Sequence, residues 1–97
     1  MKELQLLETK GTMTSLEIAE ITGKRHDNVL ADIRDEIKKL GNVKGLLIFQ
    51  ETYYINEQNK QSYPMYLLTS DGVLQLAARY DAIVRFKLIQ AVRNKQY

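Results

Sequence analysis

Between Thr14 and Leu40 two stretches of helical periodicity follow one another with only a glycine corner between them, and few folds accept that arrangement. Thr14-Ser15-Leu16-Glu17 has the Thr-x-x-Glu pattern of a capping box, in which the Thr14 hydroxyl and the Glu17 carboxylate each satisfy an orphan backbone N–H. Leu16, Ile18, Ala19 and Ile21 follow, and Thr22-Gly23 stops the segment with the residue best able to take a left-handed conformation. A second helix begins near Lys24 or Arg25. Its apolar positions Val29, Leu30, Ile33, Ile37 and Leu40 step by three and four, and Gly41 closes it. Two short helices joined by about three residues, with glycine at the corner, match the helix-turn-helix unit.

In such a unit the second helix enters the major groove, and its first residues meet base edges. On a helical wheel at about 100° per residue, Val29, Leu30, Ile37 and Leu40 all lie within about 60° of Ile33 and form one stripe for burial. Lys24, Asn28, Ala31 and Asp35 lie within about 40° of the opposite direction, with Lys38 just beside them. Asn28 donates and accepts together, which suits adenine, while Lys24 or Arg25 reaches guanine or phosphate. Ala31 is small enough for close approach to the groove floor, and the helix N-terminus favours phosphate. Asp27 and Asp35 repel phosphates, so contact is expected within the first two turns. His26 lies about 20° from Ile33, on the core side, which predicts packing or a hydrogen bond to a neighbouring backbone group or phosphate rather than base reading. The candidate DNA-binding set is thus Lys24, Arg25, His26, Asn28, Ala31 and Lys38, with Lys60 from the loop described next.

From Leu47 to Ile55 the chain is rich in β-formers, and a second such run spans Tyr63 to Leu68. Together they predict an antiparallel hairpin whose Pro64 requires an edge at that point. The polar loop Asn56 to Ser62 offers amides and the cation Lys60 to phosphate oxygens, as a wing would. The same side chains serve a solvated turn equally well. Tyr53, Tyr54, Tyr63 and Tyr66 alternate along the strands, which divides them between core and rim; stacking on unpaired bases is the single-strand alternative. Thr69 or Ser70 caps a third helix to about Tyr80, with Val73, Leu74, Leu76 and Ala77 inward. Asp81 caps a fourth carrying Ile83, Val84, Phe86, Ile89 or Leu88, and Val92. A short strand or helix is expected over residues 2–10. The fold class expected is α+β: a winged helix-turn-helix with two short helices, a β-hairpin wing and two C-terminal helices, as one domain over residues 1–97.

Composition narrows the chemistry. The chain has no cysteine and one histidine, so disulfides, thiolate metal sites and cysteine nucleophiles are excluded, and a lone histidine makes no zinc site. No paired histidine, Gly-x-Ser-x-Gly or phosphate-binding glycine loop is present, so no enzyme and no cofactor are expected. Leu46 to Phe49, the longest purely apolar run, is far short of the about 20 residues of a membrane span, so a soluble, cytoplasmic protein is expected. The net charge is +2, but positive charge gathers in residues 24–46 and 69–97.

The run from Thr14 to Arg34, with Gly23-Lys24-Arg25-His26-Asp27-Asn28-Val29 at its centre, resembles the opening of the phage regulatory protein Rha family. Pro64-Met65-Tyr66-Leu67-Leu68-Thr69-Ser70-Asp71-Gly72 resembles that family's second signature, and Phe86-Lys87 falls where its last helix has a similar pair. The resemblance spans about Met13 to Asn94. It implies a phage or prophage regulator in a bacterial host's cytoplasm, akin to the N-terminal domains of phage antirepressors, which often carry a further C-terminal domain. Tyr80-Asp81-Ala82 departs from the glycine-containing turn common in the family. The partners expected are double-stranded DNA, a second copy of the chain in a homodimer, and a phage repressor. The alternative to a DNA reader is a protein-interaction module that binds such a repressor or itself, with the C-terminal helix (Phe86, Leu88, Ile89, Val92) as a dimer seam.

Overall fold

The two-residue strand β1 (Met13–Thr14) leads directly into helix α1 (Ser15–Thr22) in the computed structural model, which describes residues 12–95. Thr14 caps α1 as its sequence implies: its hydroxyl accepts from the Glu17 N–H at 3.1 Å, and the Glu17 carboxylate accepts from the Thr14 N–H at 2.9 Å. Gly23 sits at φ 74°, a conformation that a side chain would strain, and its N–H returns to the Ala19 carbonyl. After the corner Gly23–Arg25 comes α2 (His26–Leu40), which ends where the Gly41 N–H donates to the Ile37 carbonyl at 2.9 Å.

The chain then departs from expectation. Leu47 and Ile48, read as the start of a strand, instead close an extra helix, α3 (Asn42–Ile48). Gly45 eases this: a Cβ there would stand 3.0 Å from the Ile37 Cα, tighter than side chains ordinarily pack, so glycine favours the close crossing of α3 over the end of α2. The Phe49 N–H caps α3 on the Gly45 carbonyl before the chain extends.

Strands β2 (Phe49–Ile55) and β3 (Ser62–Leu68) form the expected antiparallel hairpin, with Tyr54 opposite Tyr63 and Phe49 opposite Leu68. The sheet order is β1-β3-β2, so β3 is central. Because β1 pairs only with Leu67 and Leu68, the β1 side of β3 is open at Pro64, where no N–H is needed.

Helices α4 (Ser70–Ala77) and α5 (Ala82–Lys95) complete the described chain. Thr69 caps α4 by accepting from the Gly72 N–H at 3.1 Å, and Asp81 caps α5 by accepting from the Val84 N–H at 3.0 Å. Helix α4 stops at Ala77 rather than near Tyr80, and the following turn places the Tyr80 ring in the core. Within α5 only Leu88 and Val92 are buried, whereas Ile83 and Phe86, expected inward, are 72% and 61% exposed. They stand roughly opposite Leu88 on the wheel, and α5 packs on α1 and α4 through one face only.

One core joins all layers: Ile18 of α1, Val29 and Ile33 of α2, Phe49 and Leu68 of the hairpin, Val73 and Leu76 of α4, and Leu88 of α5 are fully buried. At about 1.5–3 kcal/mol for each fully buried large apolar side chain, this cluster fixes where the two helices and hairpin stand. The architecture is α+β with a winged helix-like arrangement, five helices and three strands among the described residues. None of the described helices is long and apolar enough to cross a membrane. The expected element over residues 2–10 lies outside the described residues.

Candidate nucleic-acid interface

The outward surface of α2 lies between two flanks. On one side stands the hairpin, and on the other the turn between α4 and α5. Between them Asn28, Ala31 and Lys38 are exposed, as the wheel requires.

The hairpin flank is tied to the start of α2 by hydrogen bonds. The buried Ser15 hydroxyl accepts from the Tyr66 N–H at 2.9 Å and shares a 2.8 Å hydrogen bond with His26 Nε2. The His26 ring also meets the Tyr54 ring edge-on at 6.1 Å, and Tyr54 lies 5.9 Å from Tyr63. His26 therefore joins α1, α2 and the hairpin, and its hydrogen-bonding nitrogen Nε2 is turned inward. Farther along, the Arg34 guanidinium lies over the Tyr66 ring at 5.8 Å. Tyr66 is buried and Tyr53 is 60% exposed, which divides the tyrosines between core and rim.

The other flank is a dense ionic cluster. Arg79, just after α4, donates through Nη1 to Glu36 at 2.9 Å, to Asp35 at 3.1 Å and to the Asp32 carbonyl at 3.2 Å. Gln75 donates to the other Glu36 oxygen at 3.0 Å, and the Tyr80 hydroxyl donates to Asp32 at 2.7 Å. Lys39 pairs with Asp35 at 3.0 Å. Hydrogen bonds from Lys39 and then Arg79 hold the Asp35 carboxyl below its ordinary range. Desolvation works against the Arg79 charge, but the surrounding carboxylates outweigh it and raise its pKa. Burial, and then the hydrogen bond to Asp32, push the Tyr80 phenol upward. The sequence treats Asp35 as a free carboxylate that ends the contact surface; in the fold it is neutralised from two sides.

The remaining candidates are placed as follows. Lys24 is half-buried, with its ammonium 4.7 Å from the centre of the Tyr80 ring. Arg25 is exposed and pairs with Asp27 at 3.0 Å. Lys60 stands at the hairpin tip with φ 61°, its ammonium 3.6 Å from the exposed Glu57. The loop amides offered to phosphate partly hold the turn itself: Asn56 Oδ1 accepts from the Gln58 N–H at 2.8 Å, and Asn59 donates to Tyr63 Oη at 2.9 Å. The fold thus gathers Lys24, Arg25, His26, Asn28, Ala31 and Lys38 on one helix and its approach, and leaves Lys60 on the hairpin tip. Sequence reasoning passed over Arg34 and Arg79. Arg34 follows Ala31 by three and precedes Lys38 by four, a spacing that marks the same ridge; Arg79 leaves no local signal.

The His26 environment has a testable consequence. Burial, reinforced by Arg34 and opposed by Asp27, lowers its pKa below 6.5. The neutral ring is thus the form the fold favours. Its contribution to stability is present above about pH 6.5 and is lost as pH falls toward the lower folded value. The melting temperature is expected to decline over that window, and His26→Asn should flatten the decline. A slope unchanged by that substitution would remove His26 from the account.

Comparison with known proteins assigns the chain to a family. The model of the family described as phage regulatory protein Rha matches residues 13–94. An uncharacterized protein of Haemophilus influenzae is 40% identical over 77 residues, which cover 76% of this chain and 44% of that protein. The chain therefore spans less than half the length of this curated relative. No solved structure matches. With a match that runs from β1 to the last turn of α5, the chain belongs to the phage regulatory protein Rha family.

Proposed function

We propose that this domain is a non-enzymatic, cytoplasmic phage or prophage regulator module that binds double-stranded DNA, with α2 in the major groove and the hairpin beside it. One observation carries the reading: α1, the Gly23 corner and α2 form a helix-turn-helix whose exposed ridge holds Asn28, Ala31 and Lys38. Asn28 suits an adenine edge and Ala31 permits close approach. In this reading Arg25, Lys38 and Arg34 meet phosphates on either side of the groove, and Lys60 meets the backbone near the wing. Lys24 reaches phosphate only by leaving the Tyr80 ring, a contact worth about 0.5–1 kcal/mol at an exposed site.

A second reading, a protein-interaction module that binds a phage repressor or itself, is favoured by the exposed apolar residues of α3 and α5. Titration of labelled duplex DNA at two salt concentrations separates the two. Affinity is expected to fall with salt, and Arg25→Ala, Arg34→Ala and Lys38→Ala should each reduce the salt slope by about one. Absence of duplex binding, with a phage repressor captured instead, would replace the DNA reading with the second.

A further inference from the structure

Helix α3 turns most of its apolar residues away from the core. Val43, Leu46 and Leu47 are 81%, 52% and 68% exposed, and Gly45 is its buried residue. A single exposed leucine needs no explanation, but three aliphatic side chains on one seven-residue helix make a patch of the kind that marks association. Beside the patch an open groove of about 520 Å³ runs between α3 and α4, with Leu40, Ile48 and Leu74 among its lining residues. It carries one charge of each sign: Lys44 comes from α3 and Asp71 from α4.

We propose that this face binds a second copy of the chain about a two-fold axis along the groove, with the α3 ridge of each copy seated over the other's α4. In a two-fold contact the same patch serves both copies, so it must complement itself. This one does. It has an apolar ridge beside an apolar groove, and its two walls carry opposite charges, so a two-fold that seats each α3 over the partner's α4 sets the Lys44 wall against the partner's Asp71 wall. A nucleic acid or an anionic membrane would call for charge of one sign, which this groove lacks. A small apolar ligand in the groove would leave Val43 and Leu46 uncovered. Because α3 leaves the far end of α2, pairing through it keeps Asn28 and Ala31 uncovered, and the inference stands apart from the DNA reading.

The patch is small for an interface, which places the dimer in the weak, transient class. Sedimentation equilibrium from about 1 to about 300 μM tests it, with a thermal melt confirming that each variant is folded. The parent should dimerise, and Leu47→Glu or Lys44→Glu should weaken the dimer about tenfold or more. The exchange Lys44→Glu/Asp71→Lys should restore it to within about threefold of the parent, and Phe86→Glu on α5 should leave it unchanged. A parent that stays monomeric throughout the range overturns the proposal. So does a dimer that survives Leu47→Glu, one that Phe86→Glu dissolves, or an exchange that restores nothing.

Discussion

Replacing Gly72 with alanine is expected to lower stability by about 1–3 kcal/mol, although the same change inside an ordinary helix usually raises it by about 0.5–1 kcal/mol. Gly72 lies in the first turn of α4, where α4 meets the end of α3. An added Cβ would fall on the Ile48 carbonyl oxygen, well inside van der Waals contact, and within 3.4 Å of the Leu68 Cβ. Neither neighbour can move freely. The Ile48 carbonyl accepts the Thr69 N–H at 3.1 Å, and Leu68 is fully buried between β1 and β2. The collision therefore forces either the cap of α4 or the exit of α3 to shift. Urea denaturation gives the answer through its sign: a loss supports the tight joint, and a gain of the size set by helix propensity refutes it.

The second large effect is expected at Arg79. Its side chain is 28% exposed, and that of its nearest partner, Glu36, is 11% exposed. Removing the guanidinium leaves the Glu36 carboxylate with only Gln75 to satisfy it, and breaking one partner of a buried pair costs about 3–5 kcal/mol. Partial solvent access reduces the expected loss to about 2–3 kcal/mol for Arg79→Ala. The double variant Arg79→Met/Glu36→Gln should recover most of it, because the charge left unpaired is then gone. Chemical denaturation of the single and double variants checks this. Equal losses in both would show that the charge left unpaired on Glu36 is not the source of the loss. Arg79→Ala should also uncover Asp32 and Asp35 beside the proposed recognition ridge and weaken duplex binding beyond what lost stability explains.

Both effects arise where distant segments meet, and that locates the boundary of what the amino-acid sequence can tell. Caps and stops were legible because each is a contact between residues at most four apart. The Thr14–Glu17 box, the Gly23 and Gly41 stops, and the Thr69 and Asp81 caps all stand where the sequence puts them. The outward ridge Asn28, Ala31 and Lys38 was legible for a similar reason, since a helix turns its residues by a fixed angle. His26 as a supporting residue followed from the same geometry, although its partner Ser15 did not.

Tertiary contact decided the rest. Leu47 and Ile48 read as strand until Gly45 meets Ile37 and holds that stretch in α3, a case of packing overriding local pattern. Ile83 and Phe86 satisfy a helical pattern as well as Leu88 does, and only the docking of α5 on α1 and α4 chose which stripe to bury. Asp35 looked like the end of a contact surface because its neighbour Arg79 lies 44 residues away. The helix-turn-helix between Thr14 and Leu40 was therefore written in short-range chemistry, in caps, corners and periodicity. The charge it presents, the side chains that brace it and the apolar face left on α3 arise from contacts across the fold, where sequence spacing carries no distance information.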